Sequence, residues 1–162
     1  MLTKGINDLD FVNYKKPSMF IIFPYCSFKC DKENCCDLCQ NSHLAQAPLV
    51  EISYNDLLKR YKETPLVQAI VCGGLEPFDN FEDLFNIVKI ARGQYNIEDD
   101  IVIYTGYTED EIDNHIRWRE IKKYHNIIIK YGRYRPNQEP HYDEVLGVNL
   151  ASDNQYAKRY SK

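Results

Sequence analysis

The sequence predicts an α/β fold with a mainly parallel sheet, and two observations support this prediction. Short apolar runs alternate with helical patterns along the chain, which is typical of β–α–β units. Each of the first four runs ends in a loop of unusual composition: cysteines, a double glycine, Thr-Gly-Tyr and Gly-Arg. Because loops at the carboxyl ends of parallel strands share one face of the fold, we expect these four loops to converge on a single site.

The apolar runs define the predicted strands. The first run leads directly into a cysteine-rich loop at 24–43, and the second ends at Gly73-Gly74. One more strand is predicted near the end of the chain. The predicted strands cover residues 19–23, 66–71, 101–104, 127–129 and 145–150.

Helices are predicted between these strands and after them. Ser53 is the predicted N-cap of a helix over 54–62, and a terminal helix is predicted over 154–160. Asn80 is the predicted N-cap of a helix whose inner face has Phe81, Leu84, Val88 and Ala91 at helical spacing. The capping-box pair Thr108 and Glu111 opens a further helix with Ile112, Ile116 and Ile121.

Composition restricts the class of protein. A chain of 162 residues suits one domain, which we expect to span residues 1–162. A net charge of -4 argues against a dedicated nucleic-acid binder, which would normally have a basic excess. The apolar runs are too short to span a bilayer, so we expect no membrane partner.

Five of the six cysteines lie between Cys26 and Cys39, directly after the first apolar run. So dense a set of thiols indicates either a bound metal or disulfides, and disulfides require an oxidising compartment. The segment 1–16 is polar and charged and does not resemble a signal peptide. We therefore expect reduced thiols that bind a metal.

The cysteine spacing alone leaves two kinds of metal centre open. Soft thiolates suit zinc or an iron–sulfur cluster. Structural zinc usually takes four ligands from two Cys-x-x-Cys pairs, and only Cys36 and Cys39 form such a pair. A tight zinc tetrathiolate from Cys30, Cys35, Cys36 and Cys39 remains an alternative to a cluster.

Further motifs resemble one family. CSFKC at 26–30, followed by DLCQN at 37–41, looks like the radical S-adenosylmethionine (SAM) motif C-x-x-x-C-x-x-C with residues inserted. GGLEP at 73–77 resembles the GGEP segment of that superfamily. Together with DFVN at 10–13, TGY at 105–107 and SDNQ at 152–155, these motifs resemble the small activating proteins of anaerobic ribonucleotide reductase over nearly the whole chain.

This resemblance implies an abbreviated, incomplete (β/α) barrel of the radical SAM type with two cofactors, a [4Fe-4S] cluster and SAM. Three thiolates would bind three irons and leave the fourth iron open to the amino and carboxylate groups of SAM. One electron passed into the cluster would cleave the sulfonium bond, giving methionine and a 5′-deoxyadenosyl radical. In the activating family that radical removes a hydrogen from a glycine of the partner reductase and leaves a glycyl radical.

Two ligand sets follow from the resemblance. Eight residues separate Cys30 from Cys39 where the motif has two, so six are inserted. The favoured set is Cys26, Cys30 and Cys39, because CSFKC directly after a strand preserves the family's approach to the cluster. The alternative set uses Cys36 in place of Cys30. In the favoured set Cys35 and Cys36 are spare thiols or ligands of a second ion.

The resemblance also implies residues that contact SAM. Gly73, Gly74 and Glu76 would lie against its methionine part, although Leu75 intervenes between the glycines and Glu76. Leu38 and Gln40 flank the third family cysteine and would contact the nucleoside. A basic-aromatic patch at 130–135 is interpreted from its composition as either a solvated loop or a docking surface.

The implied partners are the large subunit of anaerobic ribonucleotide reductase, or another glycyl-radical enzyme, and a flavodoxin-like electron donor. An oxygen-sensitive cluster implies a reducing cytoplasm. A radical SAM enzyme that modifies a peptide or small molecule is the alternative hypothesis. A zinc-stabilised interaction module without catalysis is a third hypothesis, from a different functional class.

Overall fold

The structure is a computed structural model that describes residues 1–35, 39 and 41–160. Its helices are α1 Lys29–Asn34, α2 Ser42–Ala45, α3 Tyr54–Glu63, α4 Phe81–Gly93 and α5 Glu109–Asn114, with 3₁₀ helices at Phe78–Asn80 and Trp118–Lys123. Its strands are β1 Leu2–Thr3, β2 Gly5–Asp10, β3 Ser18–Ile22, β4 Val50–Glu51, β5 Ala69–Gly73, β6 Asp100–Tyr104, β7 Ile127–Tyr131, β8 His141–Asp143, β9 Val148–Leu150 and β10 Tyr156–Tyr160.

Six of these strands form one central sheet in the order β10-β7-β6-β5-β3-β2. The four inner strands β3, β5, β6 and β7 are parallel, whereas β2 and β10 pair antiparallel at the two edges. The predicted α/β fold with a mainly parallel sheet is therefore confirmed. The remaining strands form two small antiparallel pairs, β1 with β4 and β8 with β9.

The inner strands are covered by apolar residues on both faces. Side chains on either face are therefore apolar, which gives these strands continuous apolar sequences. Every residue of β5 and of β7 is buried. On one face the strands pack against α3 and α4, with Leu57 and Leu84 fully buried. On the other face a smaller cluster includes Tyr14 and Leu146. Because the four inner strands are parallel, their carboxyl ends lie at one edge of the sheet.

The starts of α3 and α5 agree with the sequence prediction. Ser53 caps α3, and its side chain accepts the backbone N–H of Asp56. Thr108 and Glu111 form the predicted capping box of α5. The predicted inner face of α4 is buried at Phe81, Leu84, Val88 and Ala91. None of the described helices is long and apolar enough to cross a membrane.

Several predicted boundaries are wrong. The second strand begins at Ala69 and not at Leu66, because Leu66 has a φ of 71° and is 72% exposed. The helix α5 ends at Asn114, and Ile116 is exposed. The predicted strand over 145–150 shrinks to β9, which pairs with β8 outside the central sheet.

The predicted terminal helix over 154–160 is also wrong, since residues 156–160 form β10. This strand pairs with β7 and places Tyr156 opposite Tyr131. The backbone groups at the outer edge of β7 need partners, and an added strand satisfies them. That requirement is non-local, so the polar sequence of β10 alone does not reveal it. The edge strand β2 was missed for the same reason.

Candidate functional site

A cavity of about 470 Å³ opens at the carboxyl ends of the parallel strands. All four predicted loops contribute to its wall, which includes Cys26, Cys30, Cys39, Gly74, Glu76, Thr105, Gly106, Lys130 and Gly132. The expected convergence of the four loops is therefore confirmed. The size of the cavity suits a small-molecule ligand.

The three thiols of the favoured ligand set lie together in this wall. Cys26, Cys30 and Cys39 are all half-buried, whereas Cys35 is exposed and Cys72 is buried in the core. Burial raises the pKa of Cys26 to about 12 and also raises the pKa of Cys30 and Cys39. A metal must therefore displace the thiol protons when it binds.

Each of these three sulfurs also hydrogen-bonds with the backbone. The N–H of Phe28 donates to Cys26 Sγ at 3.2 Å. Backbone groups of Tyr134 and Asn41 hydrogen-bond with Cys30 and Cys39 and lower their pKa, opposing the effect of burial. Such bonds favour negatively charged sulfur, and N–H donors to sulfur also tune cluster potentials. By contrast, Cys35 Sγ lies 3.9 Å from the carbonyl of Lys32 as a weak donor.

The first residues of the cysteine-rich loop are held by the loop after β5. The Ser27 N–H donates to Asp79 Oδ2 at 2.6 Å. The carbonyl of Tyr25 accepts both the Glu76 N–H at 3.1 Å and Asn80 Nδ2 at 2.9 Å. Asn80 thus begins α4 without the predicted side-chain cap, since its amide binds this neighbouring loop. These bonds hold Cys26 at the edge of the cavity.

The helix α1, which begins directly before Cys30, is fixed by the loop after β7. Asn34 Nδ2 donates to the Cys30 carbonyl at 2.7 Å and to the Tyr134 carbonyl at 3.4 Å. Arg133 forms an ion pair with Glu33 at 3.2 Å and binds both carboxylate oxygens of Glu111, at 2.9 and 2.7 Å. These contacts fix the position of Cys30 relative to the loop after β7.

Glu76 is buried in the cavity wall and joins two of the loops. Its Oε1 accepts the Thr105 hydroxyl at 2.7 Å and the Phe78 N–H at 3.0 Å, and its Oε2 accepts the Gly106 N–H at 2.8 Å. Burial raises the pKa of Glu76 to about 7, although these hydrogen bonds oppose the rise. The intervening Leu75 is buried and does not move Glu76 out of the wall.

The double glycine has a packing role beside the cavity. Gly74 lines the cavity with a φ of +80°, and a Cβ there would lie 2.6 Å from Cγ2 of Ile22. A Cβ on Gly73 would lie 3.2 Å from the Phe20 ring and from the Tyr104 side chain. Only glycine lets the loop after β5 approach β3 this closely.

Lys130 was not predicted as a site residue, yet it is buried in the cavity wall. Its Nζ donates to the Gly132 carbonyl at 2.9 Å, and burial lowers the pKa of Lys130 to about 8. Arg133 is buried as well, so the interpretation of 130–135 as a solvated loop is wrong for these two residues. The sequence feature that could have identified Lys130 as a site residue is its position at the end of an otherwise apolar parallel strand.

The other motifs of the resemblance tie loops together around the cavity. Asp10 Oδ2 accepts the N–H of Asn13 at 2.9 Å, and the Asn13 carbonyl accepts the Tyr104 hydroxyl at 2.6 Å. Gln155 Nε2 donates to the Gly132 carbonyl at 3.3 Å. Their polar side chains thus connect the chain before β3 and the chain after β9 to the loops of the site.

Comparison with known protein families gives one match. Residues 18–155 match the family described as the 4Fe-4S single cluster domain. The chain belongs to this family. No curated protein and no solved structure matches the chain. Family membership supports a [4Fe-4S] cluster and is consistent with a radical SAM-type iron–sulfur protein.

The described thiols fit the cluster that the family description names. Cys26, Cys30 and Cys39 are half-buried in one cavity wall, and each sulfur hydrogen-bonds with the backbone. Within 1–35, 39 and 41–160, no group of three His, Cys, Asp or Glu side chains is placed to hold a single metal ion.

Some of the predicted site residues lie outside the described part of the chain. They are the alternative ligand Cys36 and the predicted nucleoside contacts Leu38 and Gln40. The zinc tetrathiolate that would include Cys36 likewise cannot be placed. These assignments stay predictions.

Proposed function

We propose that the protein is a radical SAM enzyme with its [4Fe-4S] cluster on Cys26, Cys30 and Cys39. The observation that supports this proposal is that these three thiols line one cavity together with a buried carboxylate and a buried ammonium group. A bound cluster would supply the electron that cleaves SAM reductively to methionine and a 5′-deoxyadenosyl radical. The residues of the chain bind, orient and shield the reactants.

Charge complementarity supports SAM as the second ligand of the cavity. The methionine part of SAM has an amino group and a carboxylate. Glu76, an acidic residue, and Lys130, a basic residue, are buried in the same wall. They form no ion pair with each other: the Lys130 ammonium donates to a carbonyl, and Glu76 accepts from loop donors. Lys130 can therefore receive a carboxylate and Glu76 an ammonium group.

The backbone on the same side of the cavity supports close approach of the ligand. Gly74 exposes backbone to the cavity without a side chain, and Phe20 and Tyr104 provide apolar surface in the wall. A wall that combines apolar side chains with polar groups is typical of small-molecule sites.

The proposed partner is the large subunit of an anaerobic ribonucleotide reductase, on which the enzyme would generate a glycyl radical. The support is the ordered resemblance of six motifs along the chain. All six motifs, at 10–13, 26–30, 37–41, 73–77, 105–107 and 152–155, contribute residues to the cavity wall. A flavodoxin-like protein is the proposed electron donor. A different glycyl-radical enzyme, a peptide or a small molecule is the alternative substrate.

Metal analysis of the anaerobically reconstituted protein tests the cluster. We expect brown protein with iron and sulfide near the stoichiometry of one [4Fe-4S] cluster. Colourless protein that binds only zinc would contradict the proposal and favour the zinc-stabilised interaction module.

A glycyl-radical assay tests the partner. The reconstituted protein, SAM and a strong reductant are mixed with the purified reductase subunit, and the mixture is followed by electron paramagnetic resonance. We expect a glycyl-radical signal that disappears when the target glycine is replaced by alanine. If SAM is cleaved but no signal forms on the reductase, the reductase is not the partner and the alternative substrates take its place.

A binding measurement tests the role of Lys130. Lys130→Met keeps a chain of similar length without the charge, and we expect it to weaken SAM binding by about tenfold or more, as for a lost charged hydrogen bond. The control is Lys32→Ala, because Lys32 is exposed outside the cavity. Unchanged SAM affinity in Lys130→Met would show that the carboxylate binds elsewhere.

A further inference from the structure

The Asp31 carboxylate joins the two ends of the inserted segment. Asp31 follows Cys30 directly in α1, and its Oδ1 accepts the backbone N–H of Cys39 at 2.8 Å. This bond links residues eight positions apart in the chain. It therefore connects the helical turn of the second thiol to the backbone of the third thiol.

The helix that holds Asp31 is itself fixed on the body of the protein. Asn34 bonds α1 to the loop after β7, and the ion pair between Arg133 and Glu33 adds a second connection. Arg133 is buried and also bound by Glu111. Asp31 thus offers its acceptor from a defined position, so its bond to Cys39 fixes Cys39 relative to the cavity.

The inserted residues explain why such a bond is needed. In the short motif the second and third cysteines are held close by two intervening residues, but here eight intervene. A longer loop samples more conformations, and bringing its ends together costs more entropy. A hydrogen bond between the two ends of the loop restricts it.

The oxygen atom of Asp31 is what makes the bond to Cys39, since Oδ1 accepts the backbone N–H. An asparagine at position 31 would also have a side-chain oxygen acceptor but no negative charge. Asp31→Asn therefore separates the hydrogen bond from the charge.

We infer that Asp31 is a positioning residue whose hydrogen bond to the Cys39 backbone holds the third thiol beside Cys30, so that the lengthened spacing can bind a cluster. This inference rests on the ligand set of the proposed function. Asp31 touches no iron and no substrate in this scheme. It acts through the backbone of Cys39.

The test compares wild type, Asp31→Ala, Asp31→Asn and Lys32→Ala after anaerobic reconstitution. Asparagine retains an acceptor oxygen without the charge, and Lys32 is an exposed neighbour in the same helix. Competition with an iron chelator measures iron affinity, and the Tm of each apoprotein reports folding. We expect Asp31→Ala to bind iron about 10- to 100-fold more weakly, as is typical when a partner of a metal ligand is removed. We expect Asp31→Asn and Lys32→Ala to resemble wild type.

Two results would overturn the inference alone: wild-type iron affinity in Asp31→Ala, or an Asp31→Asn variant as weak as Asp31→Ala. Wild-type protein that binds no iron would instead overturn the proposed function and this inference with it. Should Asp31→Ala fail to fold, Asp31→Ser replaces it, because serine keeps a polar group at this position while its oxygen is one bond closer to the backbone than Oδ1 of Asp31. Wild-type iron affinity in Asp31→Ser would equally overturn the inference.

Discussion

The parallel sheet and the cysteine segment, residues 24–47, are held in place by different forces. All residues of β5 and β7 are buried, and apolar side chains cover both of their faces. In the cysteine segment α1 and α2 have six and four residues and bury none of them. The described residues of the segment are instead held by hydrogen bonds. Asp79 accepts the Ser27 N–H, and Asn80 and Lys4 donate to the carbonyls of Tyr25 and Ala45. Asn34 of the segment donates to the Tyr134 carbonyl.

This difference indicates that the sheet provides the stability of the protein and that the cysteine segment provides its metal binding. Apolar burial is large and does not depend on a ligand, so we expect the sheet to fold without the cluster. Hydrogen bonds contribute less each, and a short helix with no buried face is marginal by itself. We therefore expect the order of the cysteine segment to depend on metal binding. The following predictions test this separation, beginning with the largest effect.

Removing a proposed ligand should abolish metal binding and leave the sheet intact. Cys30→Ala is expected to lower the bound iron by at least about tenfold, since losing even an outer partner of a ligand costs about that much. The Tm of the apoprotein should change little, because Cys30 is half-buried outside the core. Cys35→Ala is the matched control and should load normally. Equal loading of both variants would contradict the ligand set.

A substitution at the amino end of the sheet should lower the stability of the protein and leave metal binding unchanged. Asp100 is 4% exposed at the start of β6, and its carboxylate binds Lys16 at 2.6 Å, Arg159 at 2.6 Å and the Tyr14 hydroxyl at 2.9 Å. Asp100→Asn should lower the free energy of unfolding by about 2–3 kcal/mol, less than for a fully buried pair because Lys16 and Arg159 are partly exposed. Urea unfolding of the apoprotein measures the loss. Iron loading at neutral pH should be unchanged.

The same carboxylate makes a pH-dependent contribution to stability. Burial alone would raise the pKa of Asp100, but hydrogen bonds from Arg159, Lys16 and Tyr14 lower it to about 2. The folded pKa lies below the unfolded value of about 3.9, so the contribution is complete above about pH 4. It should disappear as the pH falls towards 2. The stability difference between wild type and Asp100→Asn should narrow over this interval, and a constant difference would contradict the assignment.

Alanine substitutions at two glycines compare a position in close contact with another strand and an open position at the end of a helix. Gly74→Ala should destabilise the protein by about 1–3 kcal/mol, because of its positive φ and the contact with Ile22. Gly93→Ala is the control: a Cβ there meets nothing within 4 Å, so it should be neutral or stabilise by up to about 1 kcal/mol. Equal effects of the two substitutions on chemical unfolding would contradict the packing role of Gly74.

The smallest expected effect concerns the capping box of α5. Thr108→Ala removes the side-chain acceptor for the Glu111 N–H and should cost about 1 kcal/mol in the free energy of unfolding. Iron loading should stay normal, because Glu111 keeps its bonds to Arg133. A loss of loading in this variant would show that α5 orders the cysteine segment more strongly than the contacts indicate.

Sequence reasoning located the parts of the molecule that depend on local patterns. The inner strands, the N-cap Ser53 and the capping box of Thr108 follow from apolar runs and short-range spacing. The convergence of the four loops follows from parallel topology. The edge strand β10 did not follow, because its residues are ordered by pairing with β7.

The same limit applies to the candidate site. Cysteines and glycines stand out in a sequence, so Cys26, Cys30, Cys39 and Gly74 were found. The bond from Asp31 to Cys39 was not found, because an aspartate in a polar loop has no distinguishing pattern. Lys130 was assigned to a surface patch since its burial depends on how distant loops close over it.

The most direct test of the central claim is the formation of 5′-deoxyadenosine from SAM and a strong reductant by the reconstituted protein. We predict that wild type and Cys35→Ala form 5′-deoxyadenosine and that Cys30→Ala does not. Absence of the product from well-loaded wild-type protein, or an equal yield from Cys30→Ala, would contradict a radical SAM centre on Cys26, Cys30 and Cys39.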